Sequence, residues 1–398
     1  KKKKSGKLIN QSMKGRKASA IPIRGCSELK LKTKKKETEV CGLWSVPDDV
    51  FWDCLTRVSR LDLVALAMVS KRHRSVAASR ELTDKRYRRR SVEPYLYVFM
   101  QLYPDPTPGW FVLHPVQRRL KPVHSILYPF PEAGSCFVVT DWGVYTIGGL
   151  VNGKPTSEVT FFDCINHKVY HVPPMKMARS GASAVLINDG EKEKIYVFGG
   201  CWDVADSSNW VEVHDIETGT WELLSVFTPK TPLKIQQGVA MDENHVYAVD
   251  EDGQCFVFSA SECKFEADGR TESNPENRHD WLIAAVGAFI CRGIGGKVLW
   301  RLPDDWEWKE VKGLEELQQQ HPGFEIIKLC PISVERLAIF WEARPQGLLE
   351  LWYAEFSLTK RKEGEVWEVK GNIEWSGPVL SDSSYTGLNL LCAGSLYL

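Results

Sequence analysis

Three clusters in this chain of 398 residues have spacings that chemistry uses. Gly148 and Gly153-Lys154 stand at the separation found in phosphate-binding loops, where backbone amides cradle phosphate and a lysine reaches it. Position 155 is Pro rather than Ser or Thr, so the hydroxyl that would hold Mg²⁺ is missing, and no helix is expected to follow. The stretch from Gly293 to Val298 fails the same test. His167 and His171 are four apart, which on a helix aims both rings at one metal ion. Val169 and Tyr170 between them read as strand, where residues four apart share a face but stand widely separated. Ser180 to Ser183, within Ala-Arg-Ser-Gly-Ala-Ser, does not meet the nucleophile-elbow pattern G-x-S-x-G. The expectation is a non-catalytic chain that takes neither cofactor nor metal.

The composition narrows the class further. Apolar residues make up 43% of the chain, ample for a core, and 15 Trp point to repeated anchoring positions. The net charge of zero hides an asymmetry: residues 1–40 hold 14 Lys or Arg against three Glu. A basic tail on a balanced body argues against nucleic-acid binding by the whole domain. The tail itself has almost no apolar periodicity and is expected to be disordered, either a solvated linker or a nuclear-import or polyanion-binding segment. Eleven Cys, odd in number and without a C-x-x-C pair, fit a reducing compartment, so a cytoplasmic and/or nuclear location is expected. No signal-peptide pattern is read in the tail. The longest clean apolar run, Trp281 to Ile290, is too short to span a bilayer, so no membrane partner is expected.

These residues must be positioned by two kinds of element. Ser45 or Val46 followed by Pro47, Asp48 and Asp49 reads as a helix start, because carboxylates in a first turn complement the helix dipole. Val50, Cys54, Leu55 and Val58 then recur at helical spacing. Ser59 can cap a second helix holding Leu61, Val64, Leu66 and Val69, and Ser70 to Ser79 reads as a basic third helix. About forty residues have too much surface for their volume to bury all this apolar area internally, so the surplus asks for a partner. From about residue 94 the pattern changes to strands punctuated by Gly, Asn, Asp and Pro. Tyr145, Tyr196 and Tyr247 recur at intervals of 51, and Tyr170 and Trp221 are also 51 apart. A period near 50, with a glycine pair after an apolar strand and a later aromatic, is the signature of a propeller blade. Counting outer aromatics at Trp110, Tyr170, Trp221, Phe265, Trp308 and Trp367 gives six blades, with seven the competing count. Residues 95–114 are expected to supply outer strands of one blade, and 388–398 its missing inner strands, which would close the ring.

On those residues the chain resembles the plant F-box/kelch-repeat proteins. The stretch VPDDVFWDCLTRVSRLDLVALAMVSKRHRSVAAS resembles an F-box, and LYVFMQLYPDPTPGWFVLHP, the repeats and VKGLEEL (311–317) resemble the kelch part. The resemblance implies a mainly β fold: a kelch-type propeller over 90–398, preceded by a small α-helical F-box over 41–85 and the tail 1–40. It implies a substrate receptor of an SCF-type cullin–RING ubiquitin ligase, in which the F-box binds the Skp-type adaptor and the propeller recruits a target protein. Carried over position by position, the adaptor-facing residues are Val46, Pro47, Val50, Leu55, Leu66, Val69 and Ser70. Val46 replaces the usual Leu, and His73 stands where many F-boxes have Trp. Target recognition is expected on the polar turns 152–157, 203–209 and 269–280, with Trp202 and Arg270 as anchors, since aromatic and Arg side chains dominate interface energetics. The alternative class is a kelch enzyme or scaffold whose front helices only pack on the propeller.

Overall fold

The computed structural model describes residues 44–89, 91–123, 130–188, 192–201, 210–230, 233–364 and 366–397. The expected basic tail, 1–40, lies outside them. Two compact units are distinguished, Lys1–Pro47 and Asp48–Leu398, and every helix and strand described below belongs to the second.

Four short helices come first: α1 (Asp48–Thr56), α2 (Arg60–Val69), α3 (Lys71–Ala77) and α4 (Arg80–Arg88). Their boundaries are local chemistry. The hydroxyls of Ser59, Ser70 and Ser79 accept the amides of Asp62, His73 and Leu82, satisfying donors that a helix start leaves orphaned. The spacing predicts three helices; the fourth arises because Ser79 interrupts the basic run and caps a new turn. Phe51, Leu55, Leu63 and Leu82 are the buried apolar side chains of these helices.

Six four-stranded antiparallel sheets follow. In blade 1, β26 (Gly387–Tyr397) lies innermost, followed by β1 (Pro94–Tyr103), β2 (Gly109–Leu113) and β3 (Leu120–Pro122). Blade 2 is β4 (Cys136–Val139), β5 (Gly143–Ile147), β8 (Val159–Asp163) and β9 (Lys168–Val172), with a small hairpin of β6 (Leu150–Val151) and β7 (Lys154–Pro155) between its second and third strands. Blade 3 runs β10 (Ser183–Asn188), β11 (Glu193–Phe198), β12 (Val211–Asp215), β13 (Thr220–Leu224). Blade 4 runs β14 (Ile235–Ala240), β15 (His245–Asp250), β16 (Gln254–Ser259), β17 (Lys264–Thr271). Blade 5 has β18 (Leu282–Ala284), β19 (Ala288–Arg292), β20 (Val298–Arg301) and β21 (Lys309–Glu310). A helix, α5 (Glu315–Gln320), leads to blade 6, which is β22 (Ile326–Pro331), β23 (Arg336–Ala343), β24 (Leu349–Glu363) and β25 (Val366–Asp382). The fold is a six-bladed β-propeller, and blade 1 takes one inner strand from the C-terminal segment rather than several.

The 51-residue repeat has a packing cause. Tyr145, Tyr196 and Tyr247 occupy the second strands of blades 2, 3 and 4, and each joins the apolar cluster shared with the next blade. Second strands are covered on both faces, which is why β5 reads as an uninterrupted buried run. Trp221, Phe265 and Trp308 pack back onto the preceding blade. Three of the counting aromatics differ. Trp110 is buried in a third strand, while Tyr170 and Trp367 sit on outermost strands with much of their surface in solvent. The count of six survives because the period, not the burial of each ring, marks a blade.

The glycine pair after β5 is explained by close approach. Gly148 and Gly149 have φ of +61° and +111°, a region L side chains rarely adopt. A Cβ on Gly148 would lie 2.5 Å from the carbonyl oxygen of Arg179. The loop that mimics a phosphate site is therefore a turn packed on the strand-to-blade link, and Lys154 continues into the β6–β7 hairpin. Gly295 and Gly296 fall in the equivalent turn between β19 and β20, displaced by two residues.

Candidate functional site

Each blade has two ends. Turns joining first to second and third to fourth strands leave one end; links joining second to third strands, and one blade to the next, leave the other. The helical unit is fastened to the first end. Arg60 Nη2 donates to the carbonyl of Cys164, in the β8–β9 turn, at 3.0 Å, and its guanidinium lies 5.3 Å from the Tyr95 ring centre. Tyr87 donates to Asp141 at 3.4 Å in the β4–β5 turn and packs on Trp142. Burial, reinforced by Glu93, pushes the Tyr95 phenol up to about 12, so it stays a neutral donor to that carboxylate.

His167 sits beneath this joint. Its Nε2 is 3.0 Å from the Tyr97 hydroxyl and its ring stacks on Phe162. Burial, with Arg60 nearby, drives its pKa down to about 4, which keeps the ring neutral. Packing accounts for this histidine, and His171 is exposed on β9 away from it. Arg179, next to Ser180, is pinned to Glu212 at 2.9 Å, so the Ala-Arg-Ser-Gly-Ala-Ser stretch leads into β10 as a structural staple.

The adaptor-facing residues divide in two. Val50, Val69 and Ser70 are exposed, Leu66 is half-buried, and just before α1 Val46 is half-buried and Pro47 exposed. Leu55 is corrected: at 2% exposure it belongs to the helical core beside Phe51, and its helical spacing from Val50 does not bring it to the surface. Ser70 spends its hydroxyl on capping α3 and touching His73 Nδ1 at 2.8 Å. His73 is buried, so at the position of the common Trp it works as a core residue.

Two surface residues were not anticipated. Eight of the ten residues of α2 are apolar, yet only Leu63 is buried. Val64 is 56% exposed, Met68 78% and Val69 67%. Val64 and Met68 are one turn apart and so form a single apolar strip. Covering these three side chains is worth about 1.5–3 kcal/mol each when complete. The signal was present as an all-round apolar helix, but periodicity could not say which side the propeller would leave bare.

Target-side expectations fare differently. Trp202 and the turn 203–209 lie outside the described residues. Arg270 is corrected as an anchor: it is held by Asp268, by the carbonyl of Pro303, and by that of Asp305 at 3.2 Å, and it lies over the Tyr247 ring. Its charge is spent on joining blades 4 and 5. The turn 152–157 and the link 272–280 both leave the blade end opposite the helices.

Residues 110–380 match the FKB95 kelch-repeats domain family. Over longer stretches the chain is similar to three proteins of Arabidopsis thaliana. "Putative F-box/kelch-repeat protein At3g46050" is 30% identical over 364 residues, covering 86% of this chain and 89% of the relative. "F-box/kelch-repeat protein At4g39590" is 29% identical over 378 residues, covering 87% and 90%. "Putative F-box/kelch-repeat protein At5g03000" is 31% identical over 345 residues, covering 85% and 83%.

Proposed function

This chain belongs to the F-box/kelch-repeat proteins, and from that premise we propose that it is the substrate receptor of an SCF-type cullin–RING ubiquitin ligase. The F-box helices bind a Skp-type adaptor, and the propeller presents a target protein for ubiquitination and degradation. The protein itself performs no catalytic step. The observation that carries this reading is the bare apolar strip of α2, on a unit fastened to one propeller end while the longer links leave the other. A handle and a cargo face on opposite ends let both partners bind together. The scaffold alternative leaves Val64, Met68 and Val69 without a role.

The test is a direct pulldown with a Skp-type adaptor. Val64→Asp with Met68→Asp should weaken binding by about ten- to a hundredfold per site, while the melting temperature holds because neither side chain is in the core. Failure of the wild-type chain to bind would refute the assignment.

A cellular readout follows from the same separation. Proteins captured by the chain under proteasome blockade should turn over faster when the wild type is overexpressed. The double variant, able to hold them but not to deliver them, should lengthen their half-lives. Shifts in the same direction for both chains would exclude the receptor mechanism.

A further inference from the structure

The end of the propeller away from the helices carries a cavity of about 500 Å³ in blade 6. It forms where the link after α5 meets the turn from β23 to β24. Trp341 and Trp352 are cross-strand partners with ring centres 5.8 Å apart and planes inclined by 29°. His321, one residue past α5, sits edge-on to both, 4.3 Å from Trp352 and 5.3 Å from Trp341, and Phe324 lies 4.9 Å from Trp341. Trp341 and Phe324 are buried behind the lining, so the accessible aromatic surface is that of Trp352 and His321.

The charges in this cavity do not cancel. Arg344 is spent: it bonds Glu342 at 2.7 Å and the carbonyl of Thr386 at 2.9 Å. Glu350 is held by neutral donors, the Trp352 indole N–H at 2.8 Å and the Ser381 hydroxyl at 3.2 Å. No cation pairs with it among the described residues, and it is half-buried. Burial holds the His321 imidazole below its ordinary pKa, against the pull of Glu350, so the ring does not supply the missing charge near neutrality. The indole N–H of Trp341, fully buried, has no acceptor among the described residues.

This combination selects a guest. An anion would meet Glu350 with no cation to offset it, and a purely apolar group would desolvate that carboxylate without recompense. A compact ammonium would satisfy the charge but leave most of the flat walls uncovered. A guanidinium does both, stacking on the half-buried Trp352 indole while its planar fork pairs with Glu350.

We propose that the cavity lined by Trp352, His321 and Glu350 takes an arginine side chain presented by the target protein. The identity of the guest as a target rests on the receptor reading; the chemistry of the pocket does not.

The experiment uses the full chain and two pools of fluorescein-labelled short peptides, randomised at every position except a central arginine in one and central citrulline in the other. Citrulline keeps the shape of arginine and removes its charge. Fluorescence anisotropy should show the arginine pool binding about tenfold more tightly than the citrulline pool. Glu350→Gln, which keeps an acceptor for the Trp352 indole, should abolish that preference while leaving adaptor capture unchanged. Trp352→Leu should weaken both pools, and a normal melting curve for either variant confirms the comparison. Equal binding of the two pools, no binding by either, or an unchanged preference in Glu350→Gln would overturn the proposal. If arginine is preferred but the adaptor is not bound, the receptor reading fails and the pocket stands; the reverse result removes the pocket alone.

Discussion

Deleting residues 388–398 should give a chain that loses its cooperative unfolding transition and aggregates where the whole chain stays dissolved. β26 pairs with β1 over ten positions, from Pro94 opposite Tyr397 to Tyr103 opposite Gly387. Its side chains enter two inter-blade clusters, Ala393 toward blade 6 and Cys392 and Leu396 toward blade 2. Without it, Leu96, Val98 and Met100 lose their cover and β1 presents an unpaired edge, a template for pairing with other chains. Leu396 alone is worth about 1.5–3 kcal/mol when fully buried. Together with Leu388, Leu390, Leu391 and the ladder, the loss matches the roughly 5–15 kcal/mol that stabilises a folded domain. The ion pair Arg118–Glu355, at 3.0 Å, ties the blade 1 turn to blade 6 at the same seam, with Arg336 of blade 6 on the same carboxylate, but a partly exposed pair cannot replace a strand. Light scattering and differential scanning calorimetry check this. A monomeric truncation with one sharp transition close to that of the whole chain would show that the ring closes elsewhere.

Glu212→Ala should be the most damaging single substitution outside the apolar core. Glu212 and Arg179 are both fully buried and joined at 2.9 and 3.0 Å through two guanidinium nitrogens. Glu212 also accepts the amides of Lys176 and Met177 at 2.7 and 3.0 Å, while Arg179 donates to the carbonyls of Gly199 and Trp210. The pair thus fixes the link between blades 2 and 3 against blade 3. Removing one partner strands a buried charge, which costs about 3–5 kcal/mol, or on the order of 10 °C in melting temperature for a chain of this size. Glu212→Gln, which keeps the acceptor for one amide, should lose less. A melting temperature for Glu212→Ala within about 2 °C of the wild type would mean that the ion pair contributes little.

Local chemistry wrote much of this molecule into its sequence. Ser59 capping a helix, paired glycines turning out of a second strand, and a tyrosine every 51 residues are each set by a few neighbouring atoms, so spacing alone reveals them. Closure by the C-terminal segment was legible for a related reason: a blade with outer strands and no inner one needs a partner, and an apolar end of the chain was available. Tertiary structure decided which side of each element faces a neighbour. In α2 apolar residues run nearly all round, so only the tertiary packing of the helix determines that Leu63 goes inward while Val64 and Met68 remain outside. Leu55 and Arg270 were misjudged on the same ground, since a side chain's type says nothing about the partners the fold brings to it. The blade 6 cavity is the extreme case. His321, Trp341 and Trp352 come from a link and two strands, and no spacing rule joins them. Their meeting depends on the register that sets Trp341 opposite Trp352 and on the path of the link after α5, because packing between distant segments is fixed by the whole fold and not by any local run of residues.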